Sequence, residues 1–297
     1  RRVLFRSEIP WKNVIISGWV LDPDRKKMSK SKGNVVVPND LIEQYGADAV
    51  RYWSANARLG ADTANDEQVF KVGKKLVVKI FNASKFVLNN FHKIEVLDKS
   101  NIKNPLDKSL VFIFNNYLEK ITESLNKYQF AEALNFTEDF FWNYFTDNYI
   151  ELVKNRRLNG SSVDSLSAST TLILILENVL KLFAPFVPMI TDEIWLTMYP
   201  DKKSIHLQKW PQKIDVDLNN ISSHEFEVAK ESIASIRKEK TSNEIGLGKE
   251  VEKITITVNK EKIEALNQVL GDVQDAARAN NLVINSSEEN NEIKSEI

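Results

Sequence analysis

The stretch DRKKMSKSKGNVVVP, residues 24–38, gathers the residue types best suited to chemistry. Five lysines or arginines and two serines fall within the eight residues from Arg25 to Lys32, with no acid among them. Lysine is a compact charge on a flexible stem, and serine hydroxyls and loop N–H groups donate hydrogen bonds. Such a set suits a chain of phosphates, whose developing charge calls for positioned cations and donors rather than covalent help. A basic run is more often only a solvated surface. What sets this one apart is the valine run Val35–Val37 directly after it, an expected strand that would hold the loop in place.

The chain has 297 residues and a formal net charge of −1, yet its charge is unevenly spread. Arg1, Arg2, Arg6, Lys12, Arg25, Lys26, Lys27, Lys30 and Lys32 face only Glu8, Asp22 and Asp24 before residue 38. Lys71, Lys74, Lys75, Lys79, Lys85 and Lys93 then follow with no acid between them, whereas the C-terminus is acidic. Local basic fields of this kind favour polyanions even when the total cancels. The absence of cysteine excludes disulfides, thiolate zinc sites and cysteine nucleophiles. No stretch has the roughly 20 apolar residues of a membrane span. The nearest, Thr171–Ile190, is interrupted by Glu177, Lys181, Pro185 and Pro188 and reads as a buried core helix.

Three parts must position the loop. Residues 1–70 alternate expected strands, Asn13–Asp22 and Val35–Pro38, with short helices. Pro38 opens one of them and Gly46 closes it in a left-handed conformation, while Asp48 is expected to cap the next, Ala49–Arg58. Residues 71–215 carry apolar stripes at helical spacing: Leu76, Ile80, Ala83, Val87 and Phe91, then Leu110, Ile113, Tyr117, Ile121 and Leu125. A long helix over about 130–158 contains the aromatic run FFWNYF, and Ser165–Phe183 is nearly all apolar, as befits the centre of an antiparallel bundle. Residues 222–285 form a small α/β unit: helix Glu225–Lys240, strand Lys253–Val258, two helices over Glu261–Leu270 and Val273–Ala279, and strand Leu282–Ile284. Residues 286–297 are polar and expected to be disordered. The beginning RRVLFRS lacks an initiator methionine and reads as a cut end or a scar.

In this setting Lys27-Met28-Ser29-Lys30-Ser31 resembles the signature loop of the class I aminoacyl-tRNA synthetases. KMSKSKGNVVVPNDLIEQYGADAVRYW is similar to the segment these enzymes carry from that loop into their stem-contact helices. FFWNYFTDNYIELVKNR, FAPFVPMITDEIW and SIHLQKWP resemble recurring stretches of the anticodon-binding bundle in the valyl, isoleucyl, leucyl and methionyl subgroup. PWKNVIISGWVLDPDRKKMSKSKGN and IRKEKTSNEIGLGKEVEKITI look most like the valyl branch, with the leucyl and isoleucyl branches as alternatives.

The resemblance implies a mainly α chain. It would comprise the C-terminal end of a Rossmann-type catalytic domain with stem-contact helices (1–70), an anticodon-binding bundle (71–215) and a small α/β domain (222–285). It implies activation of valine by ATP with Mg²⁺ and transfer to tRNA(Val), by a monomer in the cytoplasm without a membrane. Lys30 would stabilise the transition-state phosphates, Lys27, Ser29 and Ser31 would help hold the triphosphate, Met28 would pack beneath the loop, and Gly33 would give freedom at its base. The family's histidine-containing signature has no counterpart, since His92, His206 and His224 lack its setting. The chain is therefore expected to be the C-terminal part of such an enzyme, inactive alone. A stand-alone tRNA-binding module remains the other class of function.

Other residues have two readings each. His206 is expected to be structural. Of Phe140, Phe141, Trp142, Tyr144 and Phe145, most should be core, with one or two left as a platform for an unpaired base. Arg156 and Arg157 suit either the dipole at the end of their helix or an RNA backbone. Arg237, Lys238 and Lys240 read as a solvated basic face.

Overall fold

The computed structural model describes residues 11–89, 97–288 and 293–297, so that Phe91 and His92 lie outside the described residues. Of the expected strand Asn13–Asp22, two residues pair: β1 (Val20–Leu21) runs parallel to β2 (Thr63–Ala64). Val35–Val37 forms no strand, because it has no ladder partner among the described residues and Val35 and Val37 face solvent. Pro38 starts α1 (Pro38–Tyr45), and Gly46 ends it at φ 91° and ψ 152°, a positive-φ extended conformation rather than the left-handed helical one. The next helix, α2, spans Ala47–Ala55 and receives no cap from Asp48, whose carboxylate is engaged elsewhere.

Asp66 then accepts the Gln68 N–H and opens α3 (Glu67–Leu88), whose buried stripe Leu76, Ile80, Ala83 and Val87 follows the expected spacing. Gly73 lets α2 approach closely, since a β-carbon there would lie 2.8 Å from the Tyr52 ring. Asn104 and Pro105 start α4 (Pro105–Asn126), and the bundle continues through α5 (Phe130–Asp139), a π-helical turn series (Phe140–Tyr149) and α6 (Ile150–Asn159). The aromatic run thus interrupts α-helical winding. The wider winding is marked by the Ile150 N–H bonding to the Phe145 carbonyl, and Phe140, Phe141, Phe145 and Tyr149 are all buried along it. Trp142 and Tyr144 are half-buried, each under a lysine: Lys79 at 5.0 Å from the Trp142 ring and Lys230 at 4.6 Å from Tyr144. Such cover leaves them poorly placed as base platforms.

Helix α7 (Ser162–Phe183) has the length and apolarity of a membrane span, but its side chains fill the bundle centre. After a turn it passes into α8 (Pro188–Met198). The C-terminal unit comprises α9 (His224–Ser242), β3 (Val251–Asn259), α10 (Lys260–Ala277), β4 (Ala279–Ser287) and β5 (Lys294–Glu296). Its sheet order is β4-β3-β5, with β4 parallel and β5 antiparallel to β3. Two expectations change here. One continuous helix replaces the two expected over 261–279, and the polar C-terminus supplies a third strand, with Ser295 opposite Ile256 and buried.

The bundle and this unit share one core. Phe226 is fully buried with its ring 5.7 Å from Tyr144, and its N–H bonds to Ser109 Oγ on α4. Arg156, at 8 % exposure, bridges them as well: its two terminal nitrogens meet Asp107 at 2.6 and 2.9 Å, and its Nε meets Asp272 on α10 at 2.6 Å. Arg157 donates to the Phe86, Val87 and Asn89 carbonyls, closing the end of α3. Neither arginine is free for an RNA backbone. The charge of Arg156 is met by two buried carboxylates, and the donors of Arg157 are spent on main-chain carbonyls of a distant segment. Lys240 is likewise no surface residue: it is 1 % exposed and donates to the Lys249 and Ala277 carbonyls, both at 2.7 Å. Burial, then the nearby Arg278, lower its pKa.

Candidate functional site

The loop after β1 is built by a few short bonds. Arg25 takes a left-handed φ of 61°, and the Asp22 and Lys26 main chains pair across the turn. An antiparallel bridge between Leu21 and Lys27 ties the outgoing strand to the loop. Beyond it, Lys30–Lys32 forms one 3₁₀ turn closed by Gly33, whose left-handed φ of 67° is the conformation glycine adopts without strain.

All five signature residues lie together in this loop. Lys27 is exposed with its ammonium 4.3 Å over the Trp19 ring, a cation–π contact. Met28 is half-buried and its sulfur accepts the Val36 N–H at 3.4 Å, so it lies beneath the loop. Ser29 and Ser31 share a hydrogen bond of 2.6 Å between their hydroxyls. Lys30 stands exposed at the tip and has no ion pair among the described residues. The arrangement therefore presents an unpaired cation and two hydroxyls to solvent on a short, closed turn.

Two residues to which the sequence analysis gave no role in the site hold the base of the loop. Asp22 is 6 % exposed and accepts the Lys26 N–H and the Asn34 side-chain amide, each at 2.7 Å. Those bonds hold its carboxyl below the usual carboxylate range. Asn34 in turn accepts the Ser29 N–H at 2.9 Å and donates to the Lys27 carbonyl at 3.3 Å. The available signal was an acid at the end of a strand and an amide directly after the closing glycine. Both types readily bond nearby backbone.

A second feature lies on the outer face of α3. Five lysines, Lys71, Lys74, Lys75, Lys79 and Lys85, share that helix with one acid, Glu67. Lys71 pairs with Glu67, Lys79 with Asp147, and Lys74 bonds the Gln44 carbonyl, whereas Lys75 and Lys85 carry no ion pair among the described residues. Near the end of the helix, Phe81, 51 % exposed, flanks an open groove with Asn82, Lys85 and, from α8, Glu193 and Thr197. Ser84 borders the same groove, with its Oγ buried and without a hydrogen-bond partner among the described residues. A ring and a cation beside one groove can take a flat base and its phosphate. His206 is exposed at the other end of α8, its Nε2 3.3 Å from the Pro188 carbonyl, consistent with a structural part.

This loop and bundle fall in a known family. Residues 107–256 match the anticodon-binding domain of tRNA ligase, and residues 2–66 match tRNA synthetases class I (I, L, M and V). The chain belongs to the class I tRNA synthetases that carry this anticodon-binding domain. It is 40% identical over 274 residues to a valine–tRNA ligase of Wolbachia pipientis wMel, covering 92% of this chain and 32% of that protein. Against the valine–tRNA ligase of Thermobifida fusca the identity is 39%, over 95% of this chain and 32% of the relative. For that of Rickettsia prowazekii it is 46%, over 69% and 26%. The chain thus spans about a third of the length of the curated relatives it matches. The fold resembles LeuRS of Agrobacterium radiobacter K84, solved in a ternary complex with tRNA and LeuAMS, with a TM-score of 0.52 at 20% identity. That likeness covers 66% of this chain and 23% of the other.

Proposed function

We propose that this chain is the part of a valyl-tRNA synthetase that supplies the phosphate-stabilising loop and the anticodon-reading bundle. The observation that carries the reading is the exposed Lys30, without an ion pair among the described residues, on a turn whose base is fixed by Asp22 and Asn34. In amino-acid activation a valine carboxylate oxygen attacks the α-phosphorus of ATP, and the bond to the pyrophosphate oxygen breaks. The products are valyl-adenylate and pyrophosphate, and the valyl group then passes to tRNA(Val). Charge gathers on the phosphate oxygens, where a mobile ammonium without a competing carboxylate is most effective.

Lys30 meets those oxygens in this scheme, with the Ser29 and Ser31 hydroxyls as donors, and Lys27 leaves Trp19 to join them. Mg²⁺ accompanies ATP; no group of three acidic or histidine side chains among the described residues could hold it. The exposed apolar residues Val14, Ile16, Trp19, Val35 and Val37 suit burial against the rest of a nucleotide-binding domain. Identity of 39–46% to valine–tRNA ligases supports the valyl reading over the leucyl or isoleucyl one. The enzyme would act as a cytoplasmic monomer.

The test is adenylate formation by a full-length ligase carrying this region, at saturating valine. Lys30→Ala should slow it by roughly a hundredfold or more, whereas Lys26→Ala, whose side chain pairs with Asp24 at 3.5 Å, should cost far less. Equal and modest losses would make the loop a diffuse basic patch and refute the assignment.

A further inference from the structure

We infer that Asp22 and Asn34 form a positioning clasp that sets the rate of phosphate chemistry by fixing where the loop presents Lys30. This rests on the proposed role of the loop, and adds to it the two residues that make the loop a defined object. The clasp is a chain of four contacts: Asp22 to the Lys26 N–H and to the Asn34 amide, and Asn34 to the Ser29 N–H and the Lys27 carbonyl. Its foot is rigid, because Leu21 pairs with Ala64 across the sheet and its carbonyl accepts the Asn65 N–H. Its head is the residue directly before Lys30.

The bonds are allocated without overlap. Each Asp22 oxygen serves one donor, and the Asn34 amide points its oxygen at Ser29 and its nitrogen at Asp22 and Lys27. An aspartate at 34 would set two carboxylates against each other, and an alanine would free Ser29. Everything distal to the clasp, from Lys30 to Lys32, is held among the described residues by the bonds of its own 3₁₀ turn and by the hydroxyl bond from Ser31 back to Ser29. Lys30 therefore inherits its position from Ser29. Loss of geometry at a reacting centre on the scale of an ångström costs up to about a hundredfold in rate without a change in binding elsewhere.

Neither residue touches substrate in this scheme, so the test separates positioning from structure. In the full-length ligase, hydrogen exchange over residues 24–34 and pre-steady-state adenylate formation are measured for Asn34→Asp, Lys30→Ala and the exchange variant Asp22→Asn with Asn34→Asp. Asn34→Asp should speed exchange in the loop by about tenfold. It should slow adenylate formation by at least as much, with KM for valine unchanged. The exchange variant rebuilds the contacts to Lys26, to Ser29 and between the two side chains, forgoing only that to the Lys27 carbonyl, and should recover most of both losses. Unaltered exchange in Asn34→Asp, a loosened loop with an undiminished rate, or failure of the exchange variant to recover would each overturn the clasp. A full rate in Lys30→Ala would instead refute the proposed function of the loop, whatever the clasp does to its mobility.

Discussion

Asp48, on α2, caps a helix that begins 140 residues later in the numbering: its two carboxylate oxygens accept the N–H groups of Met189 at 3.0 Å and Ile190 at 2.8 Å. Helix α8 needs this help, because Val187 and Pro188 offer no side-chain acceptor at its start. The Arg51 guanidinium adds a bond of 3.0 Å to the Pro185 carbonyl, so that α2 closes the turn between α7 and α8 from both sides. The loop-bearing segment and the bundle are thereby joined at a helix end.

Asp48→Ala should therefore lower stability by about 1–2 kcal/mol, the usual cost of a lost N-cap together with the dipole it neutralises. Urea denaturation followed by far-ultraviolet dichroism measures this directly. A variant as stable as its parent would show that solvent can satisfy the start of α8 equally well.

At the same junction, Glu138 receives the Tyr52 hydroxyl at 3.0 Å and has no cation paired with it among the described residues. Burial pushes its carboxyl up to about 7, against the hydrogen bonds from Tyr52 and Trp142 that favour the ionised form. An acid with a raised folded-state pKa binds a proton in the native state that the unfolded chain releases. Stability must therefore fall as pH rises from about 4.5 through about 7. Glu138→Gln should remove that slope, leaving the variant about 2 kcal/mol more stable than the parent at pH 8 and nearly equal at pH 5. Melting curves across that range decide it, and a gap of constant size would assign the effect to packing.

Much of this architecture was legible because the chain marks its own helices. Pro38, Pro105 and Pro188 stand at first helical positions, and the stripe from Leu76 to Val87 lies where its period says. The loop was legible for a similar reason, its chemistry being contiguous. What stayed hidden depends on partners far along the chain. Nothing local to Asp48 announces Met189, and Arg156 is buried only because Asp107 and Asp272 converge on it. Val35–Val37 failed as a strand for the converse reason: β propensity alone makes no ladder.

On the outer face of α3, the ring of Phe81 and the charge of Lys85 should act in separable ways on RNA. Lys85→Ala should weaken binding of tRNA(Val) by a full-length ligase and reduce the salt dependence by somewhat less than one unit of slope, as for one lost phosphate contact. Phe81→Ala should cost about 1–3 kcal/mol with the slope unchanged, since stacking releases no counterion. Filter-binding titrations at several salt concentrations distinguish the two. Identical slopes in both variants would remove Lys85 from the RNA contact.

Phe226 lies wholly inside the core, against α4 and the aromatic π-helical series, and this makes the C-terminal unit a cooperative part of the bundle rather than an appendage. Deleting the chain after residue 222 would empty a phenylalanine-sized socket and strip Arg156 of one of its two carboxylates at once. The truncated bundle would then display sticky apolar surface and tend to self-associate. Heat should melt both regions in one transition, because neither can lose its packing while the other keeps it.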